Sequence, residues 1–128
     1  MLDTETSDSF GYCAARAAGG LLFCSGQIGL EADGSVPEAA SRQFDMAFAA
    51  LAETLEQNGC ATSDIVDLTS FHVGYPAHME EFAKAKAAFL DGATCCWTAI
   101  GVASLGYPGS LVEIKAVATR PVATSQNA

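Results

Sequence analysis

Gly20-Leu21-Leu22-Phe23-Cys24-Ser25-Gly26-Gln27-Ile28 follows directly on Ala14-Ala15-Arg16-Ala17-Ala18-Gly19. Two short apolar runs, Ala14–Ala18 and Leu21–Ser25, meet at Gly19-Gly20. A glycine pair between such runs supplies the positive φ of a tight turn, so the segment reads as a β-hairpin. Gly26, Gly29 and Gly34 then mark a loop. Ser35-Val36-Pro37-Glu38 has the form of a helix start, with Ser35 as N-cap, Glu38 closing a capping box and Pro37 in the first turn. Ala40, Phe44, Ala47, Phe48, Leu51 and Leu55 follow at spacings of three and four. They define one long amphipathic helix, with Gly59 placed to end it.

Ile65–Val73 is rich in β-formers and reads as a strand. A second helix is expected from about Pro76-Ala77 to Leu90, stopped by Asp91-Gly92, with Met79, Phe82, Phe89 and Leu90 on its apolar face. Thr98–Ala103 and Leu111–Thr119 read as strands separated by a turn at Gly106-Tyr107-Pro108-Gly109. The order β-β-α-β-α-β-β predicts an α+β fold, a mixed sheet with two helices on one face. The other sheet face would be bare in a monomer, so association of several copies is expected. Residues 1–128 are expected to form a single domain with flexible ends at 1–10 and 121–128.

Composition narrows the partners. The 128 residues carry a net charge of −9 with only six Lys+Arg, against nucleic-acid phosphate or an anionic membrane as partner. No stretch approaches roughly 18 uninterrupted apolar residues, and the acidic start is unlike a signal peptide. A cytoplasmic location is therefore expected. The five cysteines are odd in number and match no disulfide framework or zinc pattern. Cys13, Cys95 and Cys96 lie near residues of interest, but no base or cation accompanies them in sequence to make a nucleophile. His72 shares a strand face with Val66, Leu68 and Ser70, which suits a core or interface position. His78, at a helix start, reads as solvated. Neither has a partner at metal spacing, and the reading calls for no metal and no cofactor.

The Gly20–Ile28 segment and the ending Leu111-Val112-Glu113-Ile114-Lys115-Ala116-Val117-Ala118 resemble the two end motifs of the RidA/YjgF family, and the elements between fall in that family's order. The resemblance covers about residues 11–120. It implies a chorismate-mutase-like α+β fold and a barrel-like homotrimer with a small-molecule cleft at each interface. It further implies hydrolysis of reactive enamines and imines, in which an arginine clamps the substrate carboxylate and a glutamate positions water. Carried over residue by residue, Glu113 matches that glutamate, Tyr12 the tyrosine near the start, and Ser25-Gly26 the Ser-Gly before the glutamine. Lys86 falls about where the deaminases have an asparagine on the second helix. The arginine is missing: its place falls on Trp97, followed by Thr98, and no Arg or Lys lies between Lys86 and Lys115.

The residues carry this chemistry unevenly. Glu113 is a lone carboxylate in an apolar strand. It is a candidate general base for water, or else a carboxylate paired with Lys115 or solvated at a sheet edge. Lys86 lies on the apolar stripe of its helix, four residues from Phe82, whereas Lys84 points outward toward Glu80 and Glu81. Lys86 could have a buried counter-ion, meet an anionic ligand, or lay its stem on apolar surface with its ammonium in water. Trp97 offers a flat apolar face and one N–H donor where a guanidinium would offer a bidentate fork; it could equally pack only in an interface. The site reading is Glu113 and Tyr12 as catalytic groups, with Ser25, Gly26, Lys86, Trp97 and Thr98 binding substrate. The function expected is an enamine or imine hydrolase without an arginine clamp, or alternatively a non-catalytic binding or chaperone-like module.

Overall fold

A computed structural model describes residues 11–120; the two ends expected to be flexible, 1–10 and 121–128, lie outside the described residues. The elements are β1 (Ala15–Ala18), β2 (Leu21–Gln27), α1 (Ala40–Gln57), a 3-10 turn (Thr62–Asp64), β3 (Ile65–Val73), α2 (Met79–Leu90), β4 (Cys96–Val102) and β5 (Val112–Thr119). Their order is the one expected. The strands form one sheet in the order β1-β2-β5-β3-β4. Every pairing is antiparallel except β3–β4. The parallel pair is joined through α2, because parallel neighbours need a crossover that returns the chain to the same end of the sheet. No helix among the described residues is long and apolar enough to cross a membrane.

β5 runs through the middle of the sheet, and its period of two sorts the molecule into faces. Val112, Ile114, Ala116 and Ala118 are buried against the helices. Leu22 and Cys24 of β2 and Leu68, Ser70 and His72 of β3 share that face. α1 covers it with Phe44, Ala47, Phe48, Leu51 and Leu55, and α2 adds Phe82 and Leu90. The ring of Phe82 meets Phe44 edge-on at 5.5 Å and Phe48 at 5.4 Å, geometries that aromatic quadrupoles favour. Among the described residues no helix lies on the opposite face. Phe23 and Ile100 are exposed on it, with Arg16, Glu113 and Lys115 between and beside them.

Several boundaries move for tertiary reasons. α1 begins at Ala40, and its N-cap Ala39 makes no side-chain cap. Ser35 caps nothing: its N–H and hydroxyl both bond Asp33 Oδ1, at 3.0 and 2.7 Å. The Pro37 carbonyl, outside the helix, is taken by the Gln43 side chain at 2.8 Å. α2 starts at Met79 because residues 74–79 close two turns, Ala77 N–H to the Gly74 carbonyl and Met79 N–H to that of Pro76. β2 continues through Gly26 to Gln27, which pairs with Ile114 after an irregularity, so Gly26 is a strand residue and not part of a loop. β4 begins at Cys96, where parallel pairing with Asp67 starts. Val66 leaves the His72 face: a register shift between Ile65 and Asp67 turns its side chain out, and it is 43% exposed.

Gln43 holds the loops around this core. It is 2% exposed; its amide nitrogen donates to the carbonyls of Pro37 and Gly109, and its amide oxygen accepts from the Leu111 N–H at 2.8 Å. One side chain thus ties the approach to α1 to the β4–β5 connection. Gln43→Leu leaves those three backbone groups without their partner, at a cost of about 1–3 kcal/mol for a buried group left unsatisfied. The expected result is a lower midpoint in chemical denaturation with an unchanged slope.

Candidate functional site

Glu113 points to the open sheet face because its neighbours Val112 and Ile114 point to the core. Its carboxylate lies directly over the α-carbon of Gly26. A Cβ added at Gly26 would run into Glu113 Oε2 and come within 2.7 Å of its Cδ. Only glycine leaves room for the acid in this position. Around it is a concavity of about 390 Å³, lined among others by Tyr12, Gln27, Gly106 and Tyr107. Glu113 is half-buried, and among the described residues no cation comes within 4.0 Å of it, Lys115 included. Tyr12, 45% exposed, reaches this place through Ser25. The Ser25 hydroxyl donates to the Cys13 carbonyl at 2.6 Å and its N–H to that of Ala14 at 2.8 Å, pinning the segment that carries the tyrosine. Ser25 therefore acts through position. Tyr107 was not singled out in the sequence, where its only signal is a turn between two glycines.

Trp97 and Lys86 form a second cluster. Trp97 pairs with Leu68 across the parallel ladder and so shares the helix-facing side of the sheet, at edge strand β4. Its indole stacks on Phe82 at 6.1 Å, and Lys86 Nζ lies 4.2 Å from the ring centroid, a cation–π contact. The indole N–H donates to Ser70 Oγ at 2.9 Å, and that hydroxyl lies 2.7 Å from His72 Nε2. An indole N–H can only donate, so Ser70 Oγ accepts it, while the direction of the Ser70–His72 bond follows the imidazole tautomer. The anchoring role of Ser70 is invisible in the sequence, since it depends on a neighbour 27 residues away.

The expected site residues thus fall into two groups on opposite faces of one sheet. Tyr12, Ser25, Gly26 and Glu113 lie together; Lys86 and Trp97 lie together behind them. Thr98, next to Trp97 along β4, points to the open face opposite Thr69, one strand beyond β5's neighbour and apart from both groups. Among the described residues the sheet itself separates Glu113 from Trp97. Lys84 is exposed and joins no ion pair with Glu80 or Glu81. His78 pairs with Glu81 at 3.2 Å.

The thiols stay protonated near neutrality where burial governs them. Burial pushes Cys24 up to about 11, helped by Cys60, and raises Cys60 as well. Cys95 is also raised by burial, which outweighs the opposing pull of nearby Lys86. A cation does therefore approach one of the cysteines, without making it a thiolate. Among the described residues no group of three or more His, Cys, Asp or Glu is placed to hold a metal ion.

His72, 4% exposed and facing the Phe82 ring at 4.6 Å, is held below its ordinary 6.5 by burial. Below that value the unfolded chain binds a proton that the folded chain refuses. Stability is therefore complete above about pH 6.5 and falls as pH drops from there toward the lower folded value. The acids Glu31 and Asp33 are held below the usual carboxylate range by Arg42 and Ser35, so their losses come at lower pH. Denaturant midpoints should fall as pH drops below about 6.5 in the wild type and stay flatter in His72→Asn.

The chain is similar to known proteins over most of its length. The Endoribonuclease L-PSP family profile matches residues 5–120. The RutC family protein YjgH of Escherichia coli (strain K12) is 38% identical over 111 residues, spanning 86% of this chain and 83% of that protein. The solved structure of protein YJGH superposes with a TM-score of 0.81 at 36% identity, over 91% of this chain and 88% of the other. Rv2704 of Mycobacterium tuberculosis, a member of the YjgF/YER057c/UK114 family, shares the fold at a TM-score of 0.78 and 23% identity, over 90% and 92% of the two chains. With a profile match over residues 5–120 and 38% identity to YjgH over most of its length, the chain belongs to the RidA/YjgF family.

Proposed function

We propose that three copies of this chain assemble with their open sheet faces inward, and that each interface joins the Glu113 group of one copy to the Lys86–Trp97 group of the next. The cleft so formed hydrolyses a small enamine or imine. The observation that supports this most directly is the Glu113 carboxylate: half-buried, without an ion-pair partner among the described residues, and seated on Gly26 in a concavity beside Tyr12. Such a carboxylate can take a proton from water as the oxygen adds to the C=N carbon of an imine. The resulting carbinolamine loses ammonia and leaves a carbonyl product, and an enamine enters the same path after protonation at carbon. Tyr12 holds the polar end of the substrate, Gly26 and the Ser25-tethered backbone shape the floor, and Trp97 and Lys86 complete the binding surface. The balance of water in and ammonia out requires no cofactor.

The association is supported by the exposed apolar residues of the uncovered face and by the separation of the two residue groups within one chain. A net charge of −9 argues against RNA as substrate, whatever the family description says of its relatives. Five free thiols fit a reducing compartment, the cytoplasm. A second reading, a ligand-binding module without turnover, is favoured by one observation: Trp97 stands where the resemblance places the substrate-clamping arginine.

Enamines generated in situ by a dehydratase or amine oxidase test the proposal, with ketone and ammonia release as readouts and sedimentation to weigh the assembly. Glu113→Gln should lower the catalysed rate by roughly 10²–10⁴, and Gly26→Ala should do nearly the same by displacing the carboxylate. Wild-type rates no faster than those of Glu113→Gln, or a monomer in solution, would overturn the hydrolase. Stabilisation by substrate analogues without product would leave the binding module.

A further inference from the structure

We infer that Lys86 replaces the missing guanidinium as the charge contact of the ligand, and that it does so on top of a flat aromatic floor. The site then selects conjugated, planar carboxylates over small aliphatic ones. This deepens the proposed function and rests on its assignment of Lys86 and Trp97 to the ligand cleft.

Three observations carry it. First, the indole of Trp97 offers a ligand no hydrogen bond, because its only N–H is engaged by Ser70 Oγ at 2.9 Å. What remains is the ring surface that Phe82 and the Lys86 ammonium leave uncovered, on a residue 38% exposed. Second, that surface is preformed. Ser70 fixes the ring in its plane, itself held by His72 at 2.7 Å, and the fully buried Phe82 supports the ring from the core side. Third, Lys86 Nζ stands 4.2 Å from the centre of the same ring, and among the described residues no carboxylate lies within 4.0 Å of it. Arg42, by contrast, is committed to Glu31 through two bonds of 2.7 and 2.8 Å.

An ammonium and a ring face so close together constrain what binds. A carboxylate hydrogen-bonded to Lys86 brings the group attached to it down along the indole. A planar unsaturated or aryl substituent gains stacking there, whereas a short sp³ chain covers little of the ring. An ammonium is also a point charge, without the forked geometry that grips a carboxylate alone, so more of the recognition must come from the rest of the ligand. In the proposed reaction the class is an enamino or imino acid carrying an unsaturated or aromatic side chain.

The chain has one tryptophan, so its fluorescence reports this site alone. The test titrates the full chain with trans-cinnamate, cinnamamide and propanoate at about 0.15 M salt, where distant charges are screened. Cinnamate should change the emission saturably, and propanoate should bind at least about ten-fold more weakly. Lys86→Met should weaken cinnamate by about ten-fold or more while leaving cinnamamide where it was, which also shows that the variant is folded. Lys86→Arg should bind cinnamate nearly as the wild type does. Equal cinnamate affinity in wild type and Lys86→Met, or propanoate as tight as cinnamate, would overturn the inference. Glu113→Gln separates it from the hydrolase reading, because it should bind cinnamate normally while losing turnover. Lys86-dependent binding without turnover in any protein removes only the hydrolase; turnover without cinnamate binding removes only this inference.

Discussion

The strict alternation of β5 in the centre of the sheet is the constraint on which the structure depends. Val112, Ile114, Ala116 and Ala118 must face the helices, because they are the middle of the apolar core. Glu113, Lys115 and Val117 have no choice but the other face. Slipping β5 by one residue would bury a carboxylate and an ammonium under α1 and turn four apolar side chains outward. The core therefore fixes the direction of Glu113 with free energy far larger than any local preference of the acid itself.

That same alternation divides the site. Parallel pairing with β3 sets Trp97 on the helix side of β4, where Phe82, Lys86 and Ser70 receive it. Glu113 looks away from all four. A functional pocket that needs both an acid and the indole must draw them from two molecules, and the uncovered sheet face with Phe23 and Ile100 exposed supplies a reason for molecules to meet. Fold stability and the proposed cleft thus share one cause.

Around this frame, precision comes from a few polar side chains with more than one partner. Gln43 joins three backbone groups of two connections. Ser25 ties the Tyr12 segment to β2, and Ser70 links Trp97 to His72. Each is a small group that satisfies buried or half-buried polar atoms, and each thereby sets where a larger side chain points. Gly26 contributes by what it lacks, since its missing Cβ is the space the Glu113 carboxylate occupies.

The sequence by itself determined the element order, the hairpin at Gly19-Gly20, the buried stripe from Phe44 to Leu55 and the end of α2 at Asp91, because periodicity and turn chemistry are local. Even Lys86 on an apolar stripe was legible, from its spacing to Phe82. The start of α1 was not, because Ser35 found a nearer partner in Asp33 and Gln43 drew the Pro37 carbonyl away. Nor was the outward turn of Val66, which a register shift in β3 decides. Only the tertiary structure decided that Gly26 lies beneath Glu113, that Lys86 rests on Trp97, and that these two pairs face opposite ways. Pairing register and close approach between segments far apart in the chain leave no periodic trace for a sequence to show.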